Sequence, residues 1–287
     1  MGVSVLTLVR GRREHLVNLI HGLTRQTRLP DELIVAYMQP EPHRHLPETR
    51  FPVREVYIDD EIMPLAKARN RAAQAANNEV LIFLDVDCIP SPSLVESYRQ
   101  ALSERVGLYL GEVFYLPAGA VTTPLDYLRL DGVGKSHPAR PTMPKEGRRL
   151  EPDPGSLWGL SFALGRRDYW RAGGMDEAFY GYGGEETDFA WRLHDARVPF
   201  FWLGRARAYH QHHPMHAPPY PHFVHILRNA DYFHRKWQRW CMEYWLGQFR
   251  DAGLIAWREE GNTLEILRYP TADEIRRAKL PDTALFS

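Results

Sequence analysis

Val80-Leu81-Ile82-Phe83-Leu84-Asp85-Val86-Asp87 is an apolar run that closes on two carboxylates one residue apart. An uninterrupted aliphatic and aromatic stretch of this length reads as a strand buried on both faces. Strand side chains alternate, so Asp85 and Asp87 point the same way if the strand continues through them. A turn there instead sends one inward and leaves the other at a ligand. Hard divalent cations take carboxylate oxygen and usually engage one or two carboxylates plus substrate phosphates. The pair therefore suggests a metal site with a phosphate-bearing substrate. The competing reading is that both aspartates cap the helix introduced by Pro90-Ser91-Pro92-Ser93. Those few residues alone favour the cap; the rest of the chain reverses the balance.

Outward from this run, short apolar segments alternate with helical patterns up to about residue 100. Val3–Val9 reads as a first strand, and Glu14–Gln26 carries Leu16, Leu19, Ile20 and Leu23 at helical spacing. Leu33–Tyr37 and Val53–Ile58 read as further strands, and Leu65–Ala76 as an alanine-rich helix. This βαβ alternation predicts an α/β fold with a mostly parallel, Rossmann-like sheet flanked by helices. Ligands of such sheets bind outside the carboxyl ends of the strands, where Asp85 and Asp87 sit.

The 287 residues carry 36 Lys plus Arg and 36 Asp plus Glu. Bulk charge therefore does not direct the chain to nucleic acid or an anionic membrane, although a locally basic cleft is compatible with it. Cys88 and Cys241 make no disulfide framework, which fits a reducing compartment. Val3–Val9 is too short to span a bilayer and has no small-residue cleavage site after it. No G-x-G-x-x-G or G-x-x-x-x-G-K-[ST] segment is present, so phosphates fall to a metal and side chains.

Two further stretches carry chemistry. Gly181-Tyr182-Gly183-Gly184-Glu185-Glu186-Thr187-Asp188 frees the backbone with glycines and opens a helix on acids, where the helix dipole favours carboxylates. Neighbouring acids raise one another's pKa, which suits general-base work near neutral pH; a glycine turn with acidic capping explains the same residues. Tyr209-His210-Gln211-His212-His213-Pro214-Met215-His216 follows the apparent strand Phe200–Leu203, and this density of imidazoles favours at least one metal ligand. Residues 117–156, rich in Pro, Gly and charge, form a long excursion that either covers a site or is a plain surface loop.

In order, Val9-Arg10-Gly11-Arg12-Arg13-Glu14-His15-Leu16, Pro64-Leu65-Ala66-Lys67-Ala68-Arg69-Asn70, the Asp85-Val86-Asp87 D-x-D and Gly183–Asp188 make a set that resembles GT-A glycosyltransferases. The resemblance is to inverting family-two enzymes and, in several segments more closely, to the β-1,4-galactosyltransferases. It covers roughly residues 1–216. It implies inverting transfer of a hexose, galactose or a relative, from a nucleoside-diphosphate sugar to a glycan or other hydroxyl-bearing acceptor, with a UDP-sugar favoured. Asp87 would bind Mn²⁺ or Mg²⁺ with His210 as a second ligand, or His212 if the register slips by two. Asp85 would meet the donor ribose or sugar, Thr7, Val9, Arg10 and Arg12 would form the nucleotide-binding segment, and Lys67 would approach the diphosphate. Glu186 aligns with the acceptor-activating base, with Glu185 as runner-up. Trp158, Tyr182, Gly184 and Asp188 would shape the acceptor site, Asp188 otherwise capping the helix and Trp158 otherwise belonging to the core.

The chain departs from the pattern in two places. The second strand runs Val35-Ala36-Tyr37-Met38-Gln39 where many family-two members end on a base-binding aspartate, and Thr187 stands where a further acidic residue is expected. Lacking an anchor segment, the chain is expected to be a cytoplasmic, bacterial-type relative with residues 1–216 as the transferase domain and 217–287 as an extension. Within that extension, 222–249 reads as one or two aromatic, basic helices packed on their own domain rather than on nucleic acid. Leu254–Trp257 and Leu264–Leu267 read as a hairpin, and Thr271 as the cap of a helix to Lys279. A nucleotidyltransferase, a noncatalytic sugar-nucleotide or glycan-binding relative and a zinc hydrolase are the other classes. No arginine-bearing glycine loop supports the first, both Asp87 and Glu186 are retained against the second, and no H-E-x-x-H supports the third.

Overall fold

The computed structural model describes residues 1–60 and 62–286. In chain order the elements are β1 (Val3–Val9), α1 (Arg13–Thr24), β2 (Glu32–Tyr37), β3 (Val53–Tyr57), α2 (Leu65–Ala75), β4 (Val80–Leu84), β5 (Cys88–Pro90), α3 (Leu94–Glu104) and β6 (Leu108–Tyr115). Then follow α4 (Tyr127–Val133), β7 (Lys135–Ser136), β8 (Arg148–Glu151), β9 (Ser161–Gly165), α5 (Arg166–Arg171), α6 (Glu185–Asp195) and β10 (Phe200–His210). Last come α7 (Phe223–Trp237), α8 (Glu243–Asp251), β11 (Ile255–Trp257), β12 (Leu264–Ile266) and α9 (Ala272–Ala278).

A 10-stranded sheet runs β3-β2-β1-β4-β9-β6-β10-β5, with β7 on β6 and β8 on β10. Every residue of β1, β2 and β4 is buried, because helices cover both faces. Alternation divides the strand residues between two layers. Val3, Val5 and Val9 of β1 join Leu16, Leu19, Ile20 and Leu23 of α1 and Leu94, Val95 and Tyr98 of α3. Leu6 and Leu8 face the other way, onto Ala66, Ala72 and Ala73 of α2 and Phe189 and Leu193 of α6.

The parallel alternation holds across β3, β2, β1 and β4. Beyond β4 the sheet is mixed, because β9 enters antiparallel to both β4 and β6. Ser161 pairs with Leu84, so the residues just before β9 arrive at the carboxyl end of β4. β10 lies parallel to β6, with a register shift between Leu203 and Arg207 that includes Arg205 at φ 66. After this bulge its last residues pair antiparallel with β5, His210 opposite Cys88. The excursion 117–156 contains α4, β7 and β8.

After His216 the chain gathers a further core of Tyr220, Phe223, Ile226, Leu246, Phe249, Leu254 and Trp257. The 222–249 stretch is the pair α7 and α8, the hairpin is β11 with β12, and Thr271 caps α9 through a reciprocal bond pair with Glu274. α7 is also fastened to the preceding segment: Asn229 Nδ2 donates to the Gly183 carbonyl at 2.8 Å and to that of Tyr180 at 3.1 Å. No helix among the described residues is long and apolar enough to cross a membrane.

Asp188 belongs to this fastening, and its expected place at an acceptor is corrected. It is 0% exposed; Oδ2 accepts from Arg192 Nε at 2.8 Å and Oδ1 from Trp237 Nε1 at 2.9 Å and Lys236 Nζ at 2.7 Å. Its carboxylate joins α6 to α7 and has no face on a ligand. Asp188→Ala takes the buried carboxylate from Arg192, Lys236 and the Trp237 indole N–H, Lys236 keeping Asp176, and is expected to destabilise the fold by about 3 kcal/mol, measured by urea unfolding. A change within about 0.5 kcal/mol would show the link to be dispensable.

Candidate active site

The segment Asp85-Val86-Asp87 is a turn between β4 and β5, closed by Cys88 N–H on the Asp85 carbonyl at 2.9 Å. The turn splits the two carboxylates, the second of the two readings above. Asp87 is buried, whereas the Asp85 side chain retains 31% exposure. Neither caps α3, whose N-cap position is Ser93.

Strand pairing brings the histidines to Asp87. The Gln211 N–H donates to the Asp87 carbonyl at 2.7 Å, continuing the β5–β10 ladder past His210. His210 Nε2 lies 3.5 Å from Asp87 Oδ1 and His213 Nε2 3.6 Å from Oδ2, and the three residues offer ligand atoms within 4.8 Å of one another. The second imidazole is thus His213; His212, named above as a substitute, lies outside the group, with its carbonyl 3.3 Å from His15 Nε2. Burial works to raise the Asp87 carboxyl, but His210 and the Arg12 guanidinium outweigh it and hold it below the ordinary range. Burial lowers the His210 imidazole despite Asp87, and lowers that of His213 to about 4. Two imidazoles whose nitrogens face a carboxylate form a donor set that a divalent cation fits.

Arg12 reaches Asp87 through Nη1. It stands at the N-cap position of α1 at φ 50, after Gly11 at φ 62, a left-handed bend that carries the guanidinium over the turn. The bend is tied to the end of β2: Gly11 N–H donates to Gln39 Oε1 at 2.6 Å, and His43 Nε2 lies 2.6 Å from the Gly11 carbonyl. Thr7 and Val9 are buried in β1, so their side chains support this segment from the core rather than line a cleft. Arg10 is exposed. Lys67 pairs with Asp60 at 3.5 Å.

A second acidic group lies beside the first. Arg69, 3% exposed on α2, reaches Glu186 at 2.5 Å, Glu185 at 3.0 Å and Asp85 at 3.5 Å. The two glutamates open α6 behind Gly184, whose φ of 91 supplies the left-handed N-cap position. Glu185 turns inward, 5% exposed, while Glu186 retains 24%. Glu186 Oε2 accepts from the Gly159 N–H at 2.7 Å. A Cβ at Gly159 would fall 1.8 Å from Glu186 Oε1, so any side chain there would displace the carboxylate, and the antiparallel entry of β9 delivers the glycine there. Enclosure, followed by the neighbouring Asp87 and Glu186 charges, raises the Asp85 carboxyl against the pull of Arg69.

Tyr182 stacks on His222, centroids 4.3 Å apart, and leans on Trp245; burial and then the Glu186 and Glu185 charges push its phenol up. Trp158 is half-buried with the Arg140 guanidinium 3.4 Å from its ring centre and His137 edge-on at 5.0 Å, so one ring face is already occupied. Arg69, His213 and Gly159 were given no role in the sequence. Arg69 had a signal, a cation amid Ala66, Ala72 and Ala73 on an otherwise alanine-lined helix face. A separate cavity of about 770 Å³, lined in part by Arg71, Arg166, Trp170 and Glu177, includes none of the acidic groups above.

Burial, then the Glu186 charge, raises the Glu185 carboxyl from 4.5 to about 7. A carboxyl that holds its proton more tightly folded than unfolded contributes stability below the unfolded value and loses it as pH rises through the folded one. This group is therefore expected to withdraw roughly 3 kcal/mol of stability between pH 4.5 and 7. Glu185→Gln flattens that fall; urea titrations at about pH 5 and about pH 7.5 compare the slopes, and parallel slopes would remove the assignment.

The chain matches the family described as glycosyl transferase family 2 over residues 54–171 and that described as the N-terminal domain of galactosyltransferase over residues 152–216. It is 25% identical over 172 residues to validoxylamine A glucosyltransferase of Streptomyces hygroscopicus subsp. jinggangensis, covering 53% of this chain and 40% of that protein. It is 27% identical over 174 residues to chondroitin synthase of Escherichia coli, covering 52% and 25%. The chain thus spans less than half the length of these relatives. Among solved structures, GalNAc-T7 with UDP, GalNAc and Mn²⁺ superposes with a TM-score of 0.57 at 16% identity, over 82% of this chain and 50% of that one. S. aureus TarS residues 1–349 superposes with a TM-score of 0.54 at 12% identity, over 80% and 64%. The sheet, the acidic turn at its carboxyl edge and these matches together give the chain a GT-A fold and a likeness to glycosyltransferases.

Proposed function

We propose that the chain is an inverting hexosyltransferase, moving galactose or a related sugar from a nucleoside-diphosphate donor, by preference a UDP-sugar, to a hydroxyl of a glycan or other acceptor. One observation carries the reading: Asp87, His210 and His213, whose ligand atoms converge as a cation would require, lie at the same end of the sheet as the partly exposed carboxylate of Glu186, which Arg69 links to Asp85.

Asp87, His210 and His213 would hold Mn²⁺ or Mg²⁺, leaving coordination positions for phosphate oxygens. When bound, the cation supplies Lewis-acid stabilisation of the charge that collects on the departing diphosphate. Asp85, the more exposed of the pair, is the group for the donor ribose or sugar. The Arg10–Arg12 bend meets the nucleotide side, and Lys67 at the start of α2 is the remaining candidate cation for the diphosphate.

Glu186 takes the proton of the acceptor hydroxyl as that oxygen attacks the anomeric carbon; the new C–O bond forms opposite the breaking bond to the diphosphate, which leaves with its electron pair. Its exposure separates it from Glu185, which lies behind it and has no access to an acceptor. Arg69 and the Gly159 N–H fix the carboxylate's orientation, which spares it reorganisation during transfer. Tyr182 and Trp158 flank the acceptor side.

Thermal-shift screening of UDP-, GDP-, CMP- and dTDP-sugars with Mn²⁺, Mg²⁺ or chelator tests the donor side, since a ligand of the native state raises its stability. Metal-dependent stabilisation by one nucleotide class is expected, and Asp87→Ala is expected to abolish it. Glu186→Gln is expected to keep donor binding while lowering turnover by roughly 10²–10⁴. Full turnover in Glu186→Gln would transfer the base to another group, and bound zinc with no response to any donor would favour a hydrolase.

A further inference from the structure

His213 lies in the irregular stretch 211–215, beyond the end of β10, so no ladder holds its imidazole. One flank of the stretch is tied to α1 and the aspartate turn. Asn18 Nδ2 donates to Gln211 Oε1 at 2.7 Å, Gln211 Nε2 to the His15 carbonyl at 3.1 Å, and Gln211 N–H to the Asp87 carbonyl at 2.7 Å. The other flank is tied to the segment after α9. Ala217 N–H donates to the Ala278 carbonyl at 2.9 Å, His216 and Lys279 form an antiparallel bridge, and Leu280 N–H donates to the Met215 carbonyl at 2.9 Å.

That same segment then reaches the other imidazole. The Phe286 ring stands edge-on to Tyr115, centroids 5.2 Å apart, and to His137 at 4.9 Å. Tyr115 leans on the His210 ring at 4.8 Å and is itself the β6 partner of His210 in the ladder. Residues 279–286 therefore contact the supports of both histidines.

We propose that Lys279–Phe286 is a clasp that positions the two imidazoles for the cation, with Leu280 and Phe286 as positioning residues of the metal centre. The proposal rests on Asp87, His210 and His213 being the metal ligands. Groups that orient a ligand without touching the metal set its affinity, and their loss typically weakens binding 10–100-fold. Here the effect is on preorganisation: without the Leu280 bond the His213 stretch keeps only the Ala217 bond on this flank, two residues further from the imidazole, and without Phe286 the Tyr115 ring loses its backing against His210.

The test uses the full chain and Mn²⁺ alone, followed by isothermal titration and by the electron paramagnetic resonance signal of free Mn²⁺. Leu280→Pro removes the single N–H; Lys279 has an extended backbone at ψ 122, which a following proline accepts. Phe286→Ala removes the ring, and Phe286→Tyr keeps it. Leu280→Pro and Phe286→Ala are each expected to weaken Mn²⁺ binding roughly 10-fold with the metal-free melting temperature unchanged, and Phe286→Tyr is expected to retain the affinity. Phe286→Ala decides by itself where Leu280→Pro fails to fold. Wild-type affinity in Phe286→Ala, with binding abolished by Asp87→Ala, overturns the clasp and leaves the metal ligands standing. No Mn²⁺ binding by the unaltered chain, or binding indifferent to Asp87→Ala, overturns the ligand assignment and the clasp together.

Discussion

The Arg69 guanidinium is the constraint on which the acidic end of the sheet depends. Asp85, Glu185 and Glu186 all lie within its reach, two of them close enough for direct hydrogen bonds. Carboxylates held this near to one another repel, and their burial adds a desolvation penalty that only a buried cation can offset. A guanidinium suits the task because it stays charged and offers several donors in a rigid plane. It also couples elements remote in sequence: α2 supplies the cation, the β4–β5 turn one carboxylate, and α6 the other two. Whatever moves one of these changes the electrostatic environment of the others.

The aspartate–histidine group obeys a different logic. Asp87 and His210 are held by backbone pairing, since β5 and β10 are in register with His210 opposite Cys88, the residue after Asp87, while His213 follows beyond the ladder. Arg12 is the cation that the chain itself brings to this carboxylate. Two charge centres thus sit side by side, one of three carboxylates gathered on an internal cation and one of a single carboxylate between Arg12 and two imidazoles. That difference separates a group suited to take a proton from a group suited to take a metal.

Much of the fold was legible in local pattern. The Val80–Leu84 strand, the amino-terminal βαβ alternation, the Gly184 start of α6 and the Thr271 cap each rest on neighbouring residues, and each stands as read. What local pattern does not carry is long-range pairing. The antiparallel entry of β9 follows from where residues 161–165 return to the sheet, and no feature of Ser161–Gly165 announces its direction. His213 was missed for a related reason: β10 ends at His210, strand alternation stops there, and spacing no longer tells which following imidazole turns inward. Asp188 was read as a candidate ligand group although Arg192 stands one helical turn on, a spacing that already suggested an internal pair; its partners on α7 were beyond any local reading.

The bulge in β10 divides the strand into two halves with different outer partners. Phe200–Leu203 pairs with β8, at the far end of the long excursion, whereas Ala208–His210 pairs with β5 beside Asp87. The register shift lies between Leu203 and Arg207, and β6 pairs with both halves. The excursion therefore meets the strand on both sides of the bulge: its β8 end pairs with Phe200–Leu203, while its β7 end pairs with Tyr115, the residue that leans on His210, so a molecule that displaces the β7 end is felt at the imidazole.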